Sequence, residues 1–351
     1  MLLVLFLGAV IWGVGAFMGV DRRTRLGLLL VLFSLVLVMQ LALPFGHPLR
    51  QATGESPALW VILAGFVVLV LMYKKGLNWL RSKASAPVAT PSKSELFSET
   101  ELNRYARHIV LREVGGPGQK KLKEAKVLVI GAGGLGAPVL QYLAAAGVGT
   151  IGVIDDDVVD NANLQRQVIH RDADIDLPKV FSAERAMLAQ NPFVTVRPYH
   201  RRLTAEISAD LFGDYDLILD GTDNFATRYL VNETAVALGK PLVSGALSQW
   251  EGQVSVFDPA RGAPCYRCIF DAAPAAELAP SCAEAGVIGP LPGVVGSMMA
   301  LEAVKLITGA GEVLRGRMMI YDGLYGETRQ ITLKPRSDCP VCGRKDKADQ
   351  T

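Results

Sequence analysis

The stretch KVLVIGAGGLGAPVLQYLAAAG, residues 126–147, decides the fold. It begins as a short β-branched apolar run, KVLVIG (126–131). It passes through the glycine-rich GAGGLG (131–136) and continues as the helical segment APVLQYLAAAG (137–147). Strand, tight turn and helix in this order open a parallel α/β sheet. Gly131, Gly133 and Gly136 stand in G-x-G-x-x-G spacing, with Gly134 among them. Such a turn lets the backbone approach a phosphate at a helix N-terminus. Asp155 ends the next strand, TIGVID (150–155), 24 residues after Gly131. That is the position of a carboxylate that binds ribose hydroxyls. Taken alone, the fingerprint says nucleotide, with NAD as the default. A dehydrogenase also needs a proton donor near the substrate carbon. The four histidines, at 47, 108, 170 and 200, stand in no dehydrogenase-like motif.

Outward from this unit the alternation continues. PKVFSAERAMLAQ (178–190) reads as a helix and VTVRPYH (194–200) as a third strand. DLILDG (216–221) is a fourth, followed by the helix NFATRYLVNETAVALG (224–239). PLVSGA (241–246) and QVSVFD (253–258) are further strands, and GVVGSMMALEAVKLITG (293–309) is a late helix. GRMMIYDG (316–323) and ETRQITLK (327–334) read as a hairpin or added strands. The pattern predicts an α/β fold, a mainly parallel sheet with helices on both faces.

Cations and amides crowd the region after the second strand. Asn163, Gln165, Arg166 and Gln167 lie just past the ribose carboxylate, and Lys179 opens the next helix. Arg104 and Arg107, in RYARHIVL (104–111), stand one turn apart on an expected amphipathic helix. A triphosphate attacked at its α-phosphorus needs such a set, because charge spreads over the phosphoryl oxygens and the leaving pyrophosphate. DGTDN (220–224) follows a strand at the end where ligands bind in open α/β sheets. Asp220 or Asp223 could hold Mg²⁺ there, or Asp220 could cap the helix that follows.

The five cysteines all lie beyond residue 264. Cys265-x-x-Cys268 and Cys339-x-x-Cys342 supply four thiolates, a closed tetrahedral zinc set that would clip a distant tail to the body. A redox C-x-x-C is the alternative. Cys282, in PAAELAPSCAEAGVIGPLPG, is either an unreactive small residue or a thiol that meets substrate.

The first ninety residues are of another kind. Half of all residues are hydrophobic, one fifth are charged, and the mean hydropathy is +0.28, which excludes a disordered chain. The net charge of +2 gives no hint of nucleic acid, yet residues 1–92 carry eight Lys/Arg against two Asp/Glu. Residues 2–20, 26–44 and 57–73 are uncharged and apolar, and are expected to be three membrane spans. The basic loops DRRTR (21–25) and KKGLNWLRSK (74–83) then share one side, the cytoplasmic one by the positive-inside rule. SKASAPVATPSKS (82–94) reads as a linker to a second domain over 93–351. The expected location is therefore a membrane with the α/β domain in the cytoplasm.

RYARHIVL, GAGGLGAPVLQYLAAAGVG, NLQRQVIH, DGTDNFATRYLVN, EGQVSVF, CYRC, PSCAEAG and CPVC resemble, in order and spacing, the MoeB/ThiF/HesA family of ubiquitin-activating-like adenylyltransferases. The likeness covers about residues 98–343 and leaves the apolar N-terminal segment outside it. It implies a Rossmann-like sheet with a zinc-clipped C-terminal β extension, in a homodimer. It implies MgATP-dependent adenylylation of the C-terminal glycine of a small ubiquitin-like sulfur carrier, for molybdopterin synthesis. A thiamine or other sulfur-carrier pathway is the alternative, with Cys282 forming a covalent link to the carrier. A binding or scaffold protein that has lost catalysis is the reading from a different class. The resemblance further implies that Asp155 holds the ribose. Asn163, Arg166 and Lys179 bind the phosphates, with Gln167 and Arg104 beside them. Arg107 reaches in from a partner subunit, Asp223 binds Mg²⁺, and the four paired cysteines bind Zn²⁺. The attacking carboxylate belongs to the carrier, so no Ser-His or Cys-His pair is expected.

Overall fold

A computed structural model describes residues 2–54, 56–84, 96–273 and 285–343. The chain divides into two compact units, Met1–Ser92 and Lys93–Thr351.

The first unit is helical: α1 Leu2–Phe17, α2 Arg22–Ala42, α3 Pro48–Thr53 and α4 Pro57–Ala84. Helix α1 stops short of the expected residue 20. Gly19 takes a left-handed φ of 70°, and Asp21 caps α2 by accepting from the Arg23 and Thr24 amides at 3.0 and 3.1 Å. Its 16 residues span about 24 Å, less than the ~30 Å of a hydrocarbon core. Helices α2 and α4, with 21 and 28 residues, are long enough. Val4, Val36 and Trp60 bury one another where α1, α2 and α4 meet. Between α2 and α4 the chain makes the unexpected turn of helix α3. The buried Gln40 amide holds it, donating to Arg50 O at 2.9 Å and Thr53 Oγ1 at 2.8 Å. Trp60 Nε1 donates to Thr53 O at 3.1 Å. The outer faces of α2 and α4 stay apolar, with Leu30, Val31, Leu41, Ile62, Phe66 and Leu69 all exposed.

The second unit begins with three short helices, α5 Glu99–Arg104, α6 Ala106–Ile109 and α7 Gly115–Glu124. It then alternates β1 Lys126–Ile130, α8 Gly136–Ala146, β2 Thr150–Asp155, α9 Lys179–Gln190, β3 Thr195–His200, α10 Ala205–Gly213, β4 Leu217–Asp220 and α11 Phe225–Ala237. Strands β5 Leu242–Leu247 and β6 Glu251–Phe257, helices α12 Tyr266–Ile269 and α13 Pro290–Thr308, and the hairpin β7 Arg317–Asp322 and β8 Glu327–Thr332 complete it. One sheet of eight strands runs in the order β3-β2-β1-β4-β5-β6-β7-β8. The first five are parallel, and β5 to β8 pair antiparallel. The expected α/β architecture with a mainly parallel core is what the chain adopts, and the two last segments form the hairpin.

Strand β1 shows why helices must cover both faces. Val127 and Val129 enter one buried cluster and Leu128 and Ile130 the other, all at 2% exposure or less. A strand apolar on both sides is stable only between two layers. Helix α13 is long and apolar enough to cross a membrane by length and composition, but half of it is buried in the unit, where Val295, Met299 and Ala303 join the core. From β1 the chain winds to β2 and β3 on one side, then returns to β4 and β5 on the other. The carboxyl ends of β1 and β4 therefore frame a topological switch point, where open α/β sheets bind ligands.

The amphipathic helix expected around residues 104–111 is broken. Tyr105, at φ −94° and ψ 7°, separates α5 from α6. Its ring is buried against Gly147, and its hydroxyl accepts from Asn191 Nδ2 at 2.8 Å. The break leaves Arg104 at the end of α5 and Arg107 on α6.

Candidate functional site

A cleft of about 930 Å³ opens at the switch point. The glycine turn forms one wall. Gly131 has φ 91°, and a Cβ on Gly136 would stand 1.9 Å from Gly131 O, so both positions require glycine. The turn is tied to the next strand, since Ala132 N donates to Asp155 Oδ2 at 2.7 Å and Asp157 N to Asp155 Oδ1 at 2.8 Å. Burial raises the Asp155 carboxyl above the ordinary range, against the lowering effect of these amides and of Lys179. Each of its oxygens keeps a lone pair for a hydroxyl.

Gly131, Gly133, Gly134, Asp155, Arg166, Gln167, Lys179 and Asp223 all line the cleft. Residues more than ninety positions apart in the chain thus meet at one opening. Arg166 is steadied by Asn163, whose Oδ1 accepts from its guanidinium at 2.6 Å. Asn163 itself is set back from the lining, behind the arginine. The Lys179 ammonium is buried at the start of α9 and pairs with the exposed Asp157 carboxylate at 2.7 Å. Gln167 is buried, and its Oε1 has no hydrogen-bond partner among the described residues. Tyr266, Ile269 and Phe270 give the cleft an apolar, aromatic side. Asn232 Oδ1 accepts from Tyr266 N at 2.8 Å and fixes that side.

The two acids of DGTDN are separated by their surroundings. Asp220 is buried at 1% exposure; it accepts from Thr222 N at 3.0 Å and Thr222 Oγ1 at 2.7 Å, and it faces Arg228 at 3.8 Å. Arg228 is itself buried and donates to Ser244 Oγ at 3.1 Å and Gly245 O at 2.7 Å. Asp220 is therefore a structural tie. It does not cap the following helix either, for Asn224 does so, accepting from Thr227 N at 2.9 Å. Asp223 is exposed in the cleft and free of hydrogen bonds and ion pairs among the described residues. Of the two, only Asp223 fits a Mg²⁺ ion held against a nucleotide.

One expected neighbour of the phosphates needs correction. Arg104 does not reach this cleft. Its guanidinium donates to Gln190 O at the end of α9 and lies 5.6 Å from the Phe193 ring centroid. Arg107 is exposed on α6 and lies outside the cleft of its own chain. A serine–histidine contact also exists where none was expected. His170 Nδ1 lies 2.9 Å from Ser182 Oγ, but Ser182 is wholly buried, so it cannot attack a substrate. Arg228 and His170 were missed because their partners are backbone carbonyls far along the chain. Arg228 left one signal, the lone cation of a helix whose only other charge is Glu233. Cys282 lies outside the described residues.

The four paired cysteines converge. Cys265 and Cys268 sulfurs lie 3.9 Å apart, Cys265 and Cys339 3.6 Å, and Cys268 and Cys342 3.3 Å, with all four within 4.8 Å of one another. Sulfurs at about 2.3 Å from one tetrahedral zinc would stand ~3.8 Å apart. The donor set fits a closed zinc site, and Arg336 N directs its amide at Cys268 Sγ from 3.5 Å. Burial pushes the Cys265 thiol up to about 11, so a metal ion bound there has to displace its proton.

With this geometry in hand, the comparisons with known proteins are specific. A sulfur carrier protein adenylyltransferase of Thermus thermophilus is 50% identical over 251 residues, covering 70% of this chain and 93% of that protein. The "Probable adenylyltransferase/sulfurtransferase MoeZ" of Mycobacterium tuberculosis is 51% identical over 262 residues, covering 74% of this chain and 66% of that one. The SAMP-activating enzyme E1 of Haloferax volcanii is 46% identical over 244 residues, covering 70% of this chain and 90% of that one. Among solved structures, E. coli MccB superposes with a TM-score of 0.60 at 23% identity, over 72% of this chain and 77% of that one, a likeness of fold. The relatives' names agree with the expectation of an enzyme that transfers a nucleotidyl group. The ThiF family matches residues 105–341, well over half of the chain, and leaves the apolar N-terminal unit outside the match. This chain belongs to the ThiF family.

Proposed function

We propose that the chain adenylylates the C-terminal glycine of a ubiquitin-like sulfur carrier, consuming MgATP and releasing pyrophosphate. The observation that carries this reading is one cleft in which the glycine turn, Asp155, Arg166, Lys179 and the free Asp223 meet. An acyl-adenylate forms when a carboxylate oxygen attacks the α-phosphorus and the bond to the pyrophosphate oxygen breaks. The attacking carboxylate is already ionised near pH 7, so no general base is needed. The work left to the protein is to place two anions side by side and spread their charge. The Asp155 carboxylate suits the ribose hydroxyls. Lys179 and Arg166 lie where the phosphates would run from the glycine turn. Mg²⁺ at Asp223 would supply neutralising charge to the leaving phosphates. Arg107, exposed and without a partner among the described residues, would serve the cleft of a second copy in a homodimer. The carrier of molybdopterin synthesis is the favoured substrate, and that of thiamine or another sulfur pathway is the second reading.

ATP–pyrophosphate exchange is expected to require a purified carrier ending in Gly-Gly, and to vanish when its last glycine is deleted. Exchange indifferent to that glycine would overturn the assignment.

The first unit is assigned as a membrane anchor. Helices α2 and α4 are long enough to cross, their outer faces are apolar, and basic loops stand at the start of α2 and the end of α4. With these two spans alone, both basic loops fall on the cytoplasmic side, whether or not the short α1 crosses. On this reading the adenylylation unit works in the cytoplasm. Alkaline phosphatase fused at the C-terminus is expected to be inactive, since that reporter matures only outside. An active fusion would reverse the topology.

A further inference from the structure

Beneath the glycine turn runs a buried polar chain that the reaction described above does not use. His170 Nε2 lies 3.0 Å from Ala132 O, and His170 Nδ1 lies 2.9 Å from Ser182 Oγ. Ser182 Oγ donates to Asp174 Oδ2 at 2.7 Å, and Asp174 Oδ1 accepts from Arg185 at 2.8 Å. His170, Ser182 and Asp174 are all buried. Ala132 is the residue between Gly131 and Gly133. Its N–H is held by Asp155 and its carbonyl faces His170, so the peptide planes of the turn are clamped from both sides.

The proton count in this chain is unusual. Ala132 O is only an acceptor, so Nε2 must carry a hydrogen. In the neutral ring Nδ1 is an acceptor, and the one hydroxyl hydrogen of Ser182 can go to Asp174 Oδ2 or to Nδ1 but not to both. One of the two contacts is therefore left with no hydrogen between its atoms. If the ring takes a second proton, Nδ1–H donates to Ser182, and Ser182 donates to Asp174. Every contact is then satisfied. The network is complete only with one more proton than the neutral ring supplies.

Charge explains why that proton would arrive with the nucleotide. The groups facing His170 are Asp174 through Ser182, Lys179 on α9, and Asp155 through Ala132. Arg185 and Asp157 lie one pair further out. Burial and the Lys179 charge hold the imidazole below its ordinary range, while Asp174 acts in the other direction. A triphosphate beside Lys179 cancels that cation's repulsion and adds negative charge.

We infer that His170 is a positioning residue of the nucleotide site, holding the Ala132 carbonyl of the glycine turn and taking up a proton through Ser182 and Asp174 when a triphosphate binds. The inference rests on the reading of the cleft as an ATP site. Its sign follows from linkage. If binding raises the imidazole's affinity for a proton, affinity for the triphosphate must rise as pH falls through the range between the free and bound values.

The test is calorimetric titration of the full chain in detergent with a non-hydrolysable ATP analogue and Mg²⁺. It is run between pH 6 and 8 in buffers of differing ionisation enthalpy, which counts protons taken up. The wild type is expected to take up a fraction of a proton near pH 7 and to bind several-fold more tightly at pH 6 than at pH 8. His170→Gln can still donate to Ala132 O and accept from Ser182 without ever charging. It is expected to bind within about twofold of wild type at pH 8 and to lose the uptake beyond what the analogue itself contributes. Ser182→Ala keeps the Ala132 contact, cuts the link to Asp174, and should likewise lose the uptake. If His170→Gln does not fold, Ser182→Ala decides alone. Equal uptake in wild type and a folded variant, or none in wild type, overturns the inference. No binding of the analogue by wild type instead overturns the ATP site.

Discussion

Replacing Asp223 with alanine is expected to lower carrier-dependent ATP–pyrophosphate exchange by a factor on the order of 10²–10³ while leaving the fold intact. A charged group that organises metal and phosphates acts most strongly where charge builds up in the transition state, and removing one such group costs about that much. Asp223 is exposed, free of partners among the described residues and on the cleft wall, so its loss disturbs little packing. The neighbouring acid gives the control. Asp220→Asn removes a buried charge that faces Arg228 and accepts from Thr222, and leaves Arg228 without its counter-ion. Removing one partner of a buried pair costs about 3–5 kcal/mol. That variant should therefore melt earlier, with its loss of activity tracking loss of fold. Calorimetric melting beside the exchange assay separates the two. Unchanged exchange in the Asp223 variant would refute its assignment as the Mg²⁺-organising acid.

The double variant Cys339→Ser and Cys342→Ser is expected to take the zinc content from one per chain to none, and to lower the melting temperature by on the order of 10 °C. The four sulfurs link the start of α12 to a segment more than seventy residues later, beyond the last strand of the sheet. Without the metal nothing joins the two cysteine pairs, and the C-terminal segment loses its attachment. A loss of about 4 kcal/mol, at ~2–4 °C per kcal/mol for a domain of this size, gives the stated shift. Metal retention should also fall with pH. Bound thiolates must be deprotonated, and burial holds the free Cys265 thiol well above neutrality, so protons win back the sulfurs as the solution is acidified. Metal analysis and melting curves are the measurements. Full stability in metal-free protein would show that the cluster does not serve as a clip.

The glycine turn, the Asp155 carboxylate beside it and the cysteine pairs were all legible, for one reason. Each is a local pattern whose chemistry forces its spacing. GAGGLG can turn only where Gly131 has a positive φ and Gly136 lies against it, and four cysteines in two C-x-x-C pairs have few other uses. Strands β1, β2 and β4 were legible because they are apolar on both faces. The helix over 104–111 was misread because period alone cannot show that Tyr105 turns inward onto Gly147 and Asn191. Arg104 was assigned to the phosphates because it is a cation near the motif, yet the break in the helix sends it to Gln190.

The sequence by itself determined the order of strands and helices, the nucleotide-type turn, the metal-type cysteine set and the apolar N-terminal segment. These rest on residue type and short-range spacing, which survive in a linear reading. Only the tertiary structure decided which of two neighbouring acids is free. Asp220 and Asp223 look alike along the chain, and burial beside Arg228 occupies one while leaving the other in the cleft. Only it placed Arg166, Lys179 and Asp223 at one opening, because the chain crosses from one side of β1 to the other between β3 and β4. Only it joined His170 to Ala132 across 38 residues. Burial and long-range contact set the charge and freedom of each group, and neither is written in the residues next to it.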